Sequence, residues 1–234
     1  MTKSPKKITR APAAGSAVDR FLAEARSAQP PVPGRTQRLI FAMDATASRA
    51  PTWDLACSLH AELFGAARDS GNLAVQLVYF RGLADFHHST WNATPDALLG
   101  TMLGVRCLGG RTQVVRVIEH AEREAAQTPV RALVLVGDSF EEDPSAAAAA
   151  AGRLALFGLR MFLFQEGSDP TAARVFANLA RITGGAHVPF RAGSADELRE
   201  LLRAVATYAA QGRAGLERTL ASPLAGRLLE QLDR

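Results

Sequence analysis

Lysine is almost missing from this chain of 234 residues. Its lysines are Lys3, Lys6 and Lys7, so residues 8–234 contain none. This absence excludes a P-loop lysine, Schiff-base chemistry and a lysine general base from all but the first few residues. Chemistry in the rest of the chain must therefore use carboxylates, hydroxyls, arginines, histidines or backbone groups.

Cysteines and long apolar runs are also scarce. Two cysteines, Cys57 and Cys107, are too few for a disulfide framework, so we expect a reducing, cytoplasmic setting. No apolar run reaches the ~20 residues that a transmembrane helix needs, and the charged N-terminus is not followed by the apolar core of a signal peptide. We expect no transmembrane segment. The apolar residues, 47% of the chain, are enough to form a packed core.

The positive charge is concentrated near the N-terminus. Residues 1–38 hold eight Lys and Arg against Asp19 and Glu24, a net charge of +6, whereas the whole chain carries +4. Residues 39–234 therefore carry a net charge of −2, and we expect no specific nucleic-acid binding by the folded part. The basic arm is either a solvated leader or an electrostatic tether to RNA or anionic lipid.

The composition divides the chain into three parts. Residues 1–37 form a basic arm, predicted to be flexible, that includes the proline-rich segment "QPPVPGR". Residues 38–210 form the predicted domain, and residues 211–234 form a helical tail. The tail repeats leucine every four residues, at Leu220, Leu224, Leu228 and Leu232. This spacing is typical of a helix that packs on the core or, alternatively, forms a weak homodimer contact.

Apolar runs alternate with helical patterns across residues 38–210. "RLIFAM" and "RALVLVG" are typical of central parallel strands, and the first helix is predicted over residues 52–68. Strands that alternate with helices of about 10–15 residues predict an α/β fold, a doubly wound, mostly parallel six-stranded sheet of Rossmann-like type with helices on both faces. We predict an antiparallel edge strand at residues 85–89. Its adjacent His87 and His88 should point to opposite faces, with one ring buried.

Oxygen-bearing side chains follow the predicted strand ends. Asp44 comes directly after the first apolar run, and Thr46 and Ser48 follow it at alternate positions. Thr112 lies in a glycine-containing loop before a predicted helix, and Asp138 follows the run "ALVLVG". Ligands of such sheets bind beyond the carboxyl ends of the strands. If the two strands are neighbours, these side chains are therefore expected at one crevice.

These five residues form an all-oxygen ligand set. Hard cations prefer oxygen donors, and because no histidine or cysteine joins the set, zinc is disfavoured. Mg²⁺ retains several waters and needs few protein ligands, so we predict Mg²⁺, with Mn²⁺ or Ca²⁺ as alternatives. Two carboxylates balance one dication and leave no surplus negative charge to repel a carboxylate from outside. If the hydroxyls take the inner positions, one coordination position can accept that carboxylate. Helix capping is the alternative role for Asp44 and Asp138.

The order of these elements resembles the von Willebrand factor type A (VWA) domain with its metal-ion-dependent adhesion site. "DATAS", with Asp44, Thr46 and Ser48, is similar to the Asp-x-Ser-x-Ser motif after the family's first strand, in the Thr-containing version found in copines. Thr112 in "GGRT" matches the threonine of the family's second loop. Asp138 matches the aspartate that follows the fourth strand.

The resemblance covers roughly residues 38–210. It departs from the family at residues 137–139, where "GDS" stands in place of the usual Thr-Asp-Gly. The resemblance implies the Rossmann-like fold predicted above and a non-catalytic protein-binding module. In such a module the metal lies at the carboxyl edge of the sheet and engages a Glu or Asp of a partner protein.

Two alternative functions remain open from the residues alone. A phosphoryl-transfer enzyme of the haloacid dehalogenase type also has an aspartate after its first strand, and Asp44 would be its nucleophile. That family has a second aspartate two residues later, where this chain has Thr46, and it uses a lysine that is absent beyond Lys7. We therefore expect no enzyme activity. The other alternative is a VWA scaffold with a vestigial metal site.

Overall fold

The computed structural model describes residues 36–59, 73–91, 94–191, 193–218 and 223–232. Most of the predicted basic arm and the second half of the helix predicted at residues 52–68 lie outside this part of the chain.

One six-stranded sheet organises the described residues, with the strand order β3-β2-β1-β4-β5-β6. The strands are β1 (Gln37–Asp44), β2 (Leu73–Arg81), β3 (Asp85–His88), β4 (Ala132–Gly137), β5 (Arg160–Glu166) and β6 (Ala186–Phe190). All neighbouring strands are parallel except β2 and β3, which are antiparallel at one edge. The predicted α/β class, the six mostly parallel strands and the antiparallel edge strand are confirmed.

Helices cover both faces of this sheet. They are α1 (Ala50–Ser58), α2 (Pro95–Leu103), α3 (Val114–Gln127), α4 (Pro144–Ala155), α5 (Pro170–Thr183), α6 (Ala195–Arg218) and α7 (Pro223–Leu232). Helix α6 is interrupted at Gly212, where φ is 71°. Helices α1, α2, α6 and α7 pack on one face, and α3, α4 and α5 pack on the other. Within the described ranges, no helix has the length and apolar character required to cross a membrane.

Strand β1 contributes to the cores on both faces. Its alternate side chains point to opposite faces of the sheet, so Leu39 and Phe41 join the core beneath α6, whereas Ile40 and Ala42 join the core beneath α3. All four are fully buried. This double burial explains the unbroken apolar run in the sequence. It also confines polar side chains to the two ends of the strand, with Gln37 and Arg38 at its start and Asp44 at its last position.

The histidines near the edge strand differ in burial. The His87 ring stacks on Tyr79 with centroids 5.0 Å apart, and the His88 ring lies 4.5 Å from that of His120. Because Tyr79 and His120 belong to opposite sides of the sheet, the prediction of opposite faces holds. Both strand histidines are exposed, so the prediction of one buried ring was wrong. The buried ring is that of His120, and burial lowers its pKa to about 4.

Helix α7 packs on the core of the domain. Leu216 of α6 and Leu228 and Leu232 of α7 lie in the same apolar cluster as the odd-numbered residues of β1. Gln231 also exchanges two hydrogen bonds with the backbone of His187 in β6, at 2.8 and 2.9 Å. Core packing therefore accounts for the last two leucines of the four-residue repeat.

Replacing Leu228 with alanine tests this packing. Leu228 is fully buried, so the Leu228→Ala change should lower the free energy of unfolding by about 2–5 kcal/mol through lost contacts and the cavity left behind. Urea unfolding followed by circular dichroism measures the change. Leu156→Ala is the matched control, since Leu156 is 47% exposed and should change stability by less than about 0.5 kcal/mol. Equally small effects would show that α7 does not pack on the domain in solution.

Candidate metal site at the carboxyl edge of the sheet

Asp44 and Asp138 lie at the same edge of the sheet because β1 and β4 are parallel neighbours. Asp44 is the last residue of β1, and Asp138 directly follows β4. The chain leaves β1 towards β2 on one side, and β4 lies on the other side. The two carboxylates therefore meet at the topological switch point, where α/β sheets form their ligand-binding crevice.

An open cleft of about 230 Å³ lies at this switch point. Its lining consists of Asp44, Thr46, Ala47, Ser48, Gly109, Gly110, Thr112, Ser139 and Glu141. Four of the five predicted ligands are among these residues. The fifth, Asp138, adjoins the cleft, since the Ser48 hydroxyl donates to Asp138 Oδ2 at 3.3 Å. The structure thus brings all five predicted residues together.

The residues after Asp44 curl into a tight turn. The Thr46 N–H donates to Asp44 Oδ1 at 2.7 Å, and the hydroxyl oxygens of Thr46 and Ser48 are 3.4 Å apart. A single 3-10 turn, Ala47–Arg49, then leads into α1. The alternate spacing of the three polar residues in the sequence becomes a loop that gathers their side-chain oxygens at the cleft.

Thr112 and Glu141 are joined by two hydrogen bonds beside the cleft. The Glu141 N–H donates to Thr112 Oγ1 at 3.0 Å, and the Thr112 N–H donates to Glu141 Oε2 at 3.2 Å. One lone pair of the Thr112 hydroxyl remains for another contact. Glu141 was not among the predicted ligands. It belongs to a run of three acidic residues, and nothing in that run distinguishes the side chain that lines the cleft.

Glu142 anchors the start of α3 next to the cleft. Its carboxylate accepts hydrogen bonds from the N–H groups of Val114 and Val115, the first two residues of α3. A carboxylate here accepts hydrogen bonds from N–H groups that have no partner within the helix. Its negative charge also interacts favourably with the positive end of the helix dipole. Since Thr112 lies two residues before Val114, the contact helps to fix Thr112 relative to the loop that follows β4.

A buried ion pair lies beneath the loop. Arg49 is 1% exposed and pairs with Glu166, the last residue of β5. Glu166 also accepts hydrogen bonds from the Thr52 hydroxyl at 2.5 Å and from the Gly193 N–H at 2.9 Å. Among the described residues, Nε and Nη2 of Arg49 have no hydrogen-bond partner. The ion pair therefore ties the loop after β1 to the end of β5 and to the segment before α6.

The Asp44 carboxyl lies in an environment that disfavours its charge. Burial raises its pKa to about 6, and the neighbouring Asp138 adds to this, although hydrogen bonds from Thr46 and the charge of Arg49 oppose it. Arg49 makes its ion pair with Glu166, and no hydrogen bond joins it to Asp44 among the described residues. The cleft thus has a negative charge that a bound cation would compensate.

The donors suit a hard cation that keeps part of its hydration. Within the described ranges, no group of three or more His, Cys, Asp or Glu side chains is placed to hold a metal ion. A cation in this cleft would therefore rely on two carboxylates and on the hydroxyl oxygens of Thr46, Ser48 and Thr112. Such a set is compatible with Mg²⁺, which binds few protein ligands and retains waters, and lacks the nitrogen and sulfur ligands typical of zinc.

Comparison with solved structures identifies the fold as that of VWA domains. The chain is similar to a von Willebrand factor type A protein from Catenulispora acidiphila, with a TM-score of 0.57 and 16% identity over 74% of this chain and 43% of that one. It is also similar to the SpRpn10 VWA domain, with a TM-score of 0.57 and 13% identity over 72% of this chain and 94% of that one.

A third similar structure is an aerotolerance-related membrane protein from Bacteroides fragilis, carrying multiple mutations to serines. Its TM-score is 0.54, with 17% identity over 71% of this chain and 96% of that one. No protein-family model and no curated protein sequence matches the chain. At these identities the likeness concerns the fold alone.

The raised pKa of Asp44 predicts that the Asp44→Asn variant is more stable than the wild type in the absence of metal. Asparagine keeps an oxygen to accept the Thr46 N–H but removes the charge. A folded-state pKa of about 6, against 3.8 for the unfolded chain, means that ionised Asp44 destabilises the fold. This cost disappears as the pH falls from about 6 to about 4.

Urea unfolding of both proteins in chelator measures the effect. The advantage of Asp44→Asn should be about 3 kcal/mol at pH 7 and roughly half of that at pH 5. Equal stabilities at both pH values would show that the Asp44 charge is compensated without a metal.

Proposed function

We propose that this chain is a non-catalytic protein-binding module in which a divalent cation, Mg²⁺ foremost, engages a Glu or Asp side chain of a partner protein. Mn²⁺ and Ca²⁺ are the alternative cations. The observation that carries the proposal is the cleft at the switch point, where carboxylate and hydroxyl oxygens converge and the buried Asp44 forms no ion pair among the described residues.

Five residues would hold the cation, namely Asp44, Thr46, Ser48, Thr112 and Asp138. Three of them are hydroxyls, which donate an oxygen without adding charge. When bound, the cation would supply an electrophilic centre that attracts a carboxylate from outside. The protein's own contribution is to keep the donors in place, through the Thr46–Asp44 and Ser48–Asp138 hydrogen bonds and the Thr112–Glu141 contact.

Charge balance supports an acidic partner group. Arg49 forms its ion pair with Glu166 beneath the loop, and it forms none with Asp44 or Asp138 among the described residues. Asp44 and Asp138 together balance one dication, so the incoming carboxylate meets no surplus charge from the ligands themselves. Glu141 adds one negative charge at the lining of the cleft. A partner should therefore approach from the side of the cleft that lies away from Glu141.

The same contacts give less support to a phosphoryl-transfer enzyme. The Asp44 carboxylate, which would be the nucleophile, already accepts the Thr46 N–H at Oδ1. The position of a second catalytic aspartate is occupied by Thr46, and no lysine follows Lys7. These features favour binding over catalysis.

Isothermal titration calorimetry with Mg²⁺ and Mn²⁺ tests the proposal, and Thr46 offers a matched pair of variants. Thr46→Val retains the shape and loses the hydroxyl, so it should weaken Mg²⁺ binding about tenfold or more. Thr46→Ser retains the oxygen and should bind within about threefold of the wild type. Because Thr46 is only 9% exposed, each variant is also checked for its melting temperature.

Two outcomes would contradict the proposal in different ways. If neither ion binds up to millimolar concentration while the fold is intact, the site is vestigial and recognition uses another surface. If the chain hydrolyses a phosphomonoester and Asp44→Asn abolishes the reaction, the enzyme alternative replaces the binding module.

A further inference from the structure

Two exposed leucines lie on one side of the cleft. Leu83 is 81% exposed in the turn between β2 and β3, and Leu108 is 46% exposed in the loop before α3. Both belong to segments at the carboxyl edge of the sheet, the edge that carries Asp44. Single exposed apolar side chains are ordinary, so what distinguishes these two is their position beside the candidate binding cleft.

Backbone contacts hold these two segments against each other and against the cleft. The Leu108 N–H donates to the Ala45 carbonyl at 3.0 Å, and the Arg111 N–H donates to the Gly82 carbonyl at 3.0 Å. Gly110, which lines the cleft, lies so close to Gly82 that an added Cβ would come within 1.9 Å of the Gly82 carbonyl oxygen. The turn and the loop therefore form one continuous border of the cleft.

Charged side chains of both signs lie around the cleft. Beside the two leucines, Arg106 and Arg111 are exposed, and no carboxylate in the described ranges forms an ion pair with either. Glu141 also lines the cleft, where its carboxylate accepts the N–H of Thr112. We call Leu83, Leu108 and Arg111 the leucine rim. It combines apolar surface with an exposed positive charge.

We propose that the leucine rim is the docking surface for a partner segment in which the metal-binding Glu or Asp is next to a large apolar side chain and near a second acidic residue. This inference rests on the proposed function. The carboxylate enters the cleft, the apolar side chain covers Leu83 and Leu108, and the second acidic group faces Arg111. Apolar burial then supplies affinity beyond the metal contact, and charge sets the orientation of the segment.

Selection from a random peptide library displayed on phage tests this chemistry with the full chain in Mg²⁺. We expect the enriched peptides to combine Glu or Asp with a neighbouring large apolar residue and to carry a net negative charge. The most enriched peptide, made synthetically, is then the probe for affinity measurements in Mg²⁺ and in chelator.

Two double variants separate the leucine rim from general hydrophobicity. Leu83→Ser with Leu108→Ser should weaken binding of the selected peptide about tenfold or more and leave Mg²⁺ affinity unchanged. Leu156→Ser with Phe157→Ser is the control. These side chains are 47% and 45% exposed in the turn before β5, at the amino ends of the parallel strands and therefore far from the cleft. The control should not change peptide affinity. Arg111→Glu should weaken the binding of the acidic peptide.

The results distinguish failure of the docking surface from failure of the proposed function. Equal peptide affinity of the wild type and the Leu83/Leu108 variant, or enriched peptides without an apolar residue, would overturn the leucine rim alone. Peptides that bind equally well in chelator would overturn the metal-dependent function. They would also overturn the leucine rim as a docking surface, because that proposal assumes a metal-bound carboxylate. A selection that enriches no magnesium-dependent peptide would overturn both.

Discussion

The buried ion pair between Arg49 and Glu166 is the contact on which the geometry of the cleft depends. A buried guanidinium that loses its carboxylate leaves an uncompensated charge, which typically costs about 3–5 kcal/mol. The loop that carries Thr46 and Ser48 is therefore held to the end of β5, and through the Gly193 N–H to the segment before α6. Because Glu166 takes this role, Arg49 does not form an ion pair with the carboxylates of the cleft among the described residues.

Because Arg49 pairs with Glu166, the switch point keeps a buried carboxylate, Asp44, whose charge destabilises the fold. Asp44 is buried beside Asp138, and its raised pKa expresses that cost in the absence of a metal. Perturbed carboxyls of this kind concentrate at functional sites. Under the proposed function, the cation removes the cost and at the same time supplies the group that a partner recognises. The leucine rim then lies next to that group, at the border of the cleft.

The fold and the convergence of the five candidate residues at one edge of the sheet were predictable because both follow from local patterns. The apolar runs of β1 and β4 reflect burial on two faces, and the residues after them must lie at the carboxyl edge of a parallel sheet. The ion pair was not predictable, since Arg49 and Glu166 are 117 positions apart. Arg49 lies in the turn after β1 and Glu166 at the end of β5, and β4 lies between these two strands. The orientation of Glu141 depends on its contact with Thr112, which sequence spacing does not encode.

The central claim is that a divalent cation binds among the oxygens at the end of β1. Crystals of the full chain grown with Mn²⁺ and measured near the manganese absorption edge give the most direct test, because the anomalous signal locates the ion without reference to any functional assay. Our account predicts one strong anomalous peak in the cleft, contacted by Thr46, Ser48 and Thr112. A map with no peak there, or with manganese bound only at other residues, would contradict it.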